Sequence, residues 1–123
     1  MAPILVIEDD MSLRRTLTRL LVDSGYDVAE AGNGRIGLQR MSERAADVVI
    51  TDLIMPEMEG IETIRLIRRQ YPQAKIIAIS GGGRNSADCY LQIAEKLGVK
   101  KVLAKPFTPW ELLESIRLLL GRS

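Results

Sequence analysis

Short apolar, largely β-branched runs alternate with amphipathic stretches along this chain, and that alternation narrows its possible folds more than any other feature. The runs cover residues 4–7, 26–30, 48–51, 75–80 and 100–103. Between them, apolar residues recur at helical spacing. One stripe is Leu13, Leu17, Leu20 and Leu21; the next is Ile61, Ile64 and Ile67. Tyr90, Ile93, Ala94 and Leu97 follow, and then Leu112, Ile116, Leu119 and Leu120. A helix from about Gly34 to Glu43 has only Ile36, Leu38 and Met41 to bury. Five strand–helix units with nearly all-apolar central strands predict an α/β fold, a parallel sheet covered by helices on both faces. Right-handed crossovers and a reversal of winding then put a ligand crevice at the C-terminal strand ends.

Local punctuation supports these boundaries. Thr108-Pro109-Trp110-Glu111 spells a capping box with proline at the first helical position, so the last helix starts there. Asp10 and Asn33 are placed to cap the first and second helices, and Gly25 and Gly98 to end the first and fourth. Gly81, Gly82 and Gly83 suit neither a helix nor a strand and predict a loop after the fourth strand.

At 123 residues the chain is expected to form one domain, spanning 1–123 and carrying no output domain. A net charge of +1 gives no electrostatic case for nucleic acid or an anionic membrane. The complete lack of histidine excludes His-based catalysis, His-metal sites and a phosphohistidine on this chain. The single cysteine, Cys89, excludes an internal disulfide and is read as a small, partly buried side chain. No apolar run approaches the length of a membrane span, so the expectation is a soluble cytoplasmic domain.

Polar chemistry gathers where the apolar runs stop. Glu8-Asp9-Asp10 follows residues 4–7, Asp52 follows 47–51, and Lys105-Pro106 follows 101–104. Taken singly, each has a plainer role: a helix cap, a turn residue, a solvated lysine. Together, three converging strand ends would bring carboxylates and one ammonium to a single sheet edge. That is the composition of a divalent-metal and phosphoryl-transfer site.

Four motifs in order then carry a family resemblance: Ile-Glu8-Asp9-Asp10, Asp52-Leu-Ile-Met-Pro-Glu-Met-Glu-Gly60, Ser80, and Lys105-Pro106-Phe107. Over essentially its whole length the chain resembles the receiver domain of bacterial two-component response regulators. The resemblance implies a (βα)5 three-layer sandwich with the doubly wound strand order 2-1-3-4-5 shared with flavodoxin. It implies that Asp52 accepts a phosphoryl group as an acyl phosphate, from a histidine kinase or a histidine phosphotransfer protein. It implies Mg²⁺ as cofactor, held by Glu8, Asp9, Asp52 and the Ile54 backbone carbonyl, with Asp9 the direct ligand. Glu8 stands where the family most often has aspartate, and its longer arm is expected to reach the metal directly or through water. Lys105 would bind a phosphoryl oxygen, Ser80 would close its hydroxyl on the phosphoryl group, and the Lys105–Pro106 peptide would be cis. The signal would pass to a downstream partner or output domain through the surface of the fourth helix, fifth strand and fifth helix. Trp110 near that face is read as a surface or interface residue. Arg14, Arg15 and Arg19 are read either as a solvated helix face or as part of the dock for the phosphodonor.

The sequence departs from the family's pattern in two places. Val102 stands where an aromatic residue often reports phosphorylation, and the segment from Ser80 to Lys105 is slightly long, with the glycines absorbing the excess. Two other readings compete. An aspartyl-phosphate phosphatase would need an acid two residues after its nucleophile, where this chain has Ile54. A nucleotide- or flavin-binding domain would cradle phosphate with Gly81, Gly82 and Gly83, which lack a following Lys-Ser/Thr.

Overall fold

The computed structural model describes residues 3–53, 59–80 and 95–121. The expectations placed on Ile54, Gly81, Gly82, Gly83, Cys89, Tyr90, Ile93 and Ala94 lie outside the described residues. In chain order the elements are β1 (Pro3–Ile7), α1 (Met11–Asp23), β2 (Asp27–Ala31), α2 (Gly34–Glu43), β3 (Val48–Asp52), α3 (Glu59–Gln70), β4 (Lys75–Ser80), β5 (Lys101–Ala104) and a C-terminal helix (Pro109–Leu119). Residues 95–97, which include Leu97 of the fourth stripe, are helical. The strands form one parallel sheet in the order β2-β1-β3-β4-β5, as the resemblance implies.

Strand alternation divides the core between the faces. Ile4, Val6, Val48, Ile50, Ile77 and Ile79 pack with Leu17 and Leu21 of α1 and with Leu112 and Ile116 of the C-terminal helix. Leu5, Ile7, Val49, Ile76 and Ala78 pack on the other face with Met41 of α2 and with Ile64 and Ile67 of α3. Each stripe therefore buries against one side of the sheet, and burial on both sides explains why β3 carries nothing but buried residues. Trp110 is exposed, in keeping with its reading as a surface residue.

The helix ends follow the caps. Asp10 accepts from the Ser12 and Leu13 amides, Asn33 from the Ile36 amide, and Thr108 exchanges bonds with Glu111 in a full capping box. Gly25 follows α1 with φ 96°, a conformation that side-chain-bearing residues rarely adopt. The second strand begins at Asp27, one residue after the predicted start, because the Tyr26 amide still donates to the Leu21 carbonyl and closes α1. The weak apolar stripe of α2 is offset by close approach. Gly34 and Gly37 are buried, and a Cβ at Gly37 would lie 2.5 Å from Cδ1 of Ile7.

Candidate phosphoryl-transfer and metal site

The sheet register brings the polar residues to one edge. Thr51 of β3 lies beside Ile7, Asp52 beside Ile79, and Ser80 beside Ala104. Three backbone bonds carry the ladder one residue further: Glu8 N–H to Ala31 O at 3.0 Å, Leu53 N–H to Ile79 O at 2.8 Å, and Lys105 N–H to Ser80 O at 3.0 Å. Glu8, Asp52, Ser80 and Lys105 thus leave the sheet from rigid backbone, not from free loops. The Lys105–Pro106 peptide is cis.

Side chains close the cluster. The Lys105 ammonium stands 3.3 Å from Oδ2 of Asp52 and 3.8 Å from Oε1 of Glu8. Glu8 and Asp52 are buried, while Asp9 sits at the exposed rim. One carboxylate oxygen from each of Glu8, Asp9 and Asp52 lies within 4.8 Å of the others. Glu8 accepts from the Asp10 amide through Oε2 at 3.1 Å, but its buried Oε1 has no hydrogen bond. An all-oxygen donor set containing a buried oxygen without a hydrogen bond fits a hard divalent cation. Ser80 is buried at the end of the neighbouring strand β4.

Burial pushes the Glu8 carboxyl up to about 7. The nearby Asp9 and Asp52 carboxylates push the same way, against the Asp10 amide and the Lys105 ammonium. The consequence for stability follows from proton counting. Between about 4.5 and about 7 the folded chain keeps a proton on Glu8 that the unfolded chain has lost. The unfolded state binds fewer protons, so in metal-free buffer this contribution to stability falls as pH rises through that window. Urea unfolding at a series of pH values should show the decline, and Glu8→Gln should flatten it. A wild-type profile that rises across the window and is unaltered in Glu8→Gln would refute the assignment.

Two residues have supporting roles that the sequence alone does not reveal. Gly60, in the first turn of α3, packs so tightly on the acceptor strand that a Cβ there would clash with the Asp52 carbonyl and come within 2.7 Å of the Leu53 carbonyl. For Arg14 the sequence points only to a solvated or docking face. Arg15 and Arg19 are exposed, but Arg14 turns inward and donates to the Glu8 carbonyl at 2.9 Å. Val102, in place of the family's aromatic, is partly buried against the core on the α2–α3 face.

The family model described as response regulator receiver domain matches residues 4–117. The chain belongs to that family. This receiver is 36% identical over 114 residues to the chemotaxis protein CheY of Thermotoga maritima, covering 92% of each chain. It is 35% identical over 120 residues to the response regulator receiver protein CpdR of Brucella abortus, covering 98% of each. The solved structure of chemotaxis protein CheY4 of Vibrio cholerae superposes with a TM-score of 0.87 at 30% identity, over 97% of this chain and 98% of that one. Receiver domains are signalling domains that act with sensor kinases and output domains. Membership therefore favours phosphoryl-accepting signalling over the phosphatase and the nucleotide- or flavin-binding readings. Among the described residues, no helix of this receiver is long and apolar enough to cross a membrane.

Proposed function

We propose that Asp52 of this cytoplasmic receiver accepts a phosphoryl group from a phosphohistidine on a histidine kinase or histidine phosphotransfer protein, with Mg²⁺ as cofactor. The observation that carries the proposal is the Lys105 ammonium 3.3 Å from a buried Asp52 carboxylate, on the edge where Glu8 and Asp9 converge. An Asp52 oxygen attacks phosphorus in line. The new O–P bond forms as the P–N bond to the donor imidazole breaks, and the imidazole keeps that electron pair and takes up a proton. Lys105 moves from its carboxylate partners to a phosphoryl oxygen, and the Ser80 hydroxyl closes on another. Glu8, Asp9, Asp52 and the Ile54 carbonyl would hold Mg²⁺, which when bound supplies positive charge against the phosphoryl oxygens.

The only turnover in this proposal is the receiver's own phosphorylation and autodephosphorylation. The phosphorylated state shifts the surface formed by β5, the C-terminal helix and the predicted fourth helix toward a protein partner or an output domain. Neither nucleic acid nor membrane is contacted directly. Intact-mass spectrometry after incubation with acetyl phosphate tests the core of the proposal. With Mg²⁺ the protein should gain one phosphoryl group, and with a chelator it should gain none. Equal gain under both conditions would refute the metal's part.

The acyl phosphate is lost when water attacks in line. The Ile54 side chain, two residues after the acceptor, carries no group that can hydrogen-bond that water, and Gly82, two residues after Ser80, has no side chain. Autodephosphorylation should therefore be slow. Ile54→Asn, which supplies an orienting amide, should speed it ~10-fold, equal to about 1.4 kcal/mol of barrier. Phosphate release from purified phosphoprotein in Mg²⁺ measures this, and an unchanged or slower rate would show that residue 54 does not control the water.

A further inference from the structure

Arg14 is the one α1 arginine that turns away from solvent, with a side chain 19% exposed. Its Nη1 donates to the Glu8 carbonyl at 2.9 Å, and its Nε lies 3.4 Å from a Glu30 carboxylate oxygen on β2. The guanidinium passes directly over Gly32, where a Cβ would sit 3.1 Å from Nη1. It therefore ties together α1, the end of β1 and the turn from β2 into α2. The carbonyl it holds belongs to the peptide that leads into Asp9. On the other side of Glu8, its amide is fixed by Ala31 O at 3.0 Å, and its carboxylate by the Asp10 amide at 3.1 Å.

We infer that Arg14 is a positioning residue of the cation site. By fixing the Glu8–Asp9 peptide plane, it holds the Glu8 and Asp9 carboxylates in register with Asp52. The inference rests on the proposed metal binding and concerns how well the ligands are aimed. Arginine suits the task because its planar fork spans two acceptors at once, which a lysine ammonium on a flexible stem does not. Partners outside the ligand set commonly set metal affinity by 10–100-fold.

Alignment matters most to the ion that tolerates least distortion. Mg²⁺ demands near-octahedral ligands, whereas Ca²⁺ accepts flexible ones. Arg14→Met should therefore weaken Mg²⁺ binding by ~10-fold or more and Ca²⁺ binding by less than ~3-fold. Arg14→Lys should fall between wild type and Arg14→Met. The experiment is an NMR titration of the phosphate-free protein with each cation alone, following the Glu8, Asp9 and Asp10 amides, with circular dichroism reporting the fold.

A folded Arg14→Met that binds Mg²⁺ as wild type does, or that loses both ions equally, overturns the inference. If Arg14→Met does not fold, Arg14→Lys carries the test alone. It keeps the charge but not the two-acceptor fork, and a smaller shift in Mg²⁺ over Ca²⁺ preference in the same direction is expected; an unchanged preference overturns the inference. A wild-type protein that binds no Mg²⁺, or an Asp9→Ala variant that binds it normally, removes the metal proposal itself and is distinguishable from either result.

Discussion

Asp52→Asn will leave the receiver unable to take up a stable phosphoryl group. Asparagine keeps the shape of the side chain, so the strand end, the core and the Gly60 contact survive. What it removes is the anionic oxygen that attacks phosphorus. Loss of a covalent nucleophile typically costs far more than loss of a positioning group, and phosphorylation should slow by more than ~10³-fold. The variant has a second signature. Asp52 is one of the charges that raise the Glu8 carboxyl, so its removal should lower the upper end of the pH window over which metal-free stability declines, while the lower end stays near 4.5. Phosphate incorporation from acetyl phosphate measures the first effect, and urea unfolding across pH the second. Wild-type incorporation in Asp52→Asn would put the acceptor elsewhere.

Asp9→Ala should slow phosphorylation less than Asp52→Asn, and by a different route. Asp9 is exposed at the rim, so its loss should change folding stability by no more than ~0.5 kcal/mol. Its carboxylate is nevertheless one of the three that converge, and without it Mg²⁺ binding should fall below detection. Metal charge stabilisation is worth several kcal/mol at such sites. A loss of ~3 kcal/mol corresponds to phosphorylation slowed by about 160-fold. An Mg²⁺ titration and a phosphorylation time course on the same folded variant measure both effects. Binding at wild-type strength would remove Asp9 from the ligand set.

The fold was legible in the chain because its strands are buried on both faces and its helices on one. β3 appears as an unbroken apolar run and α1 as a leucine stripe, and Thr108-Pro109-Trp110-Glu111 marks a helix start without reference to anything distant. The apolar run places Tyr26 in β2, but a backbone bond to Leu21 holds it in the cap of α1. The site was legible for a similar reason: in a parallel sheet, whatever ends the strands meets at one edge. Close approach was not legible. How near α2 comes to Ile7, or α3 to the Asp52 carbonyl, is set by tertiary packing; Gly37 looks ordinary in sequence, and Gly60 belongs to the Asp52 motif without showing what it packs against. The inward turn of Arg14 is not legible because helical spacing does not distinguish a guanidinium that folds back onto the end of β1 from one that points into water.

The central claim is that the acyl phosphate forms on one carboxylate, that of Asp52. Borohydride reduces an aspartyl phosphate to homoserine, and peptide mass spectrometry then reads the position. After treatment with acetyl phosphate and Mg²⁺, homoserine should appear at residue 52 and nowhere else. Homoserine at another aspartate, or phosphoprotein that yields none, would contradict the account.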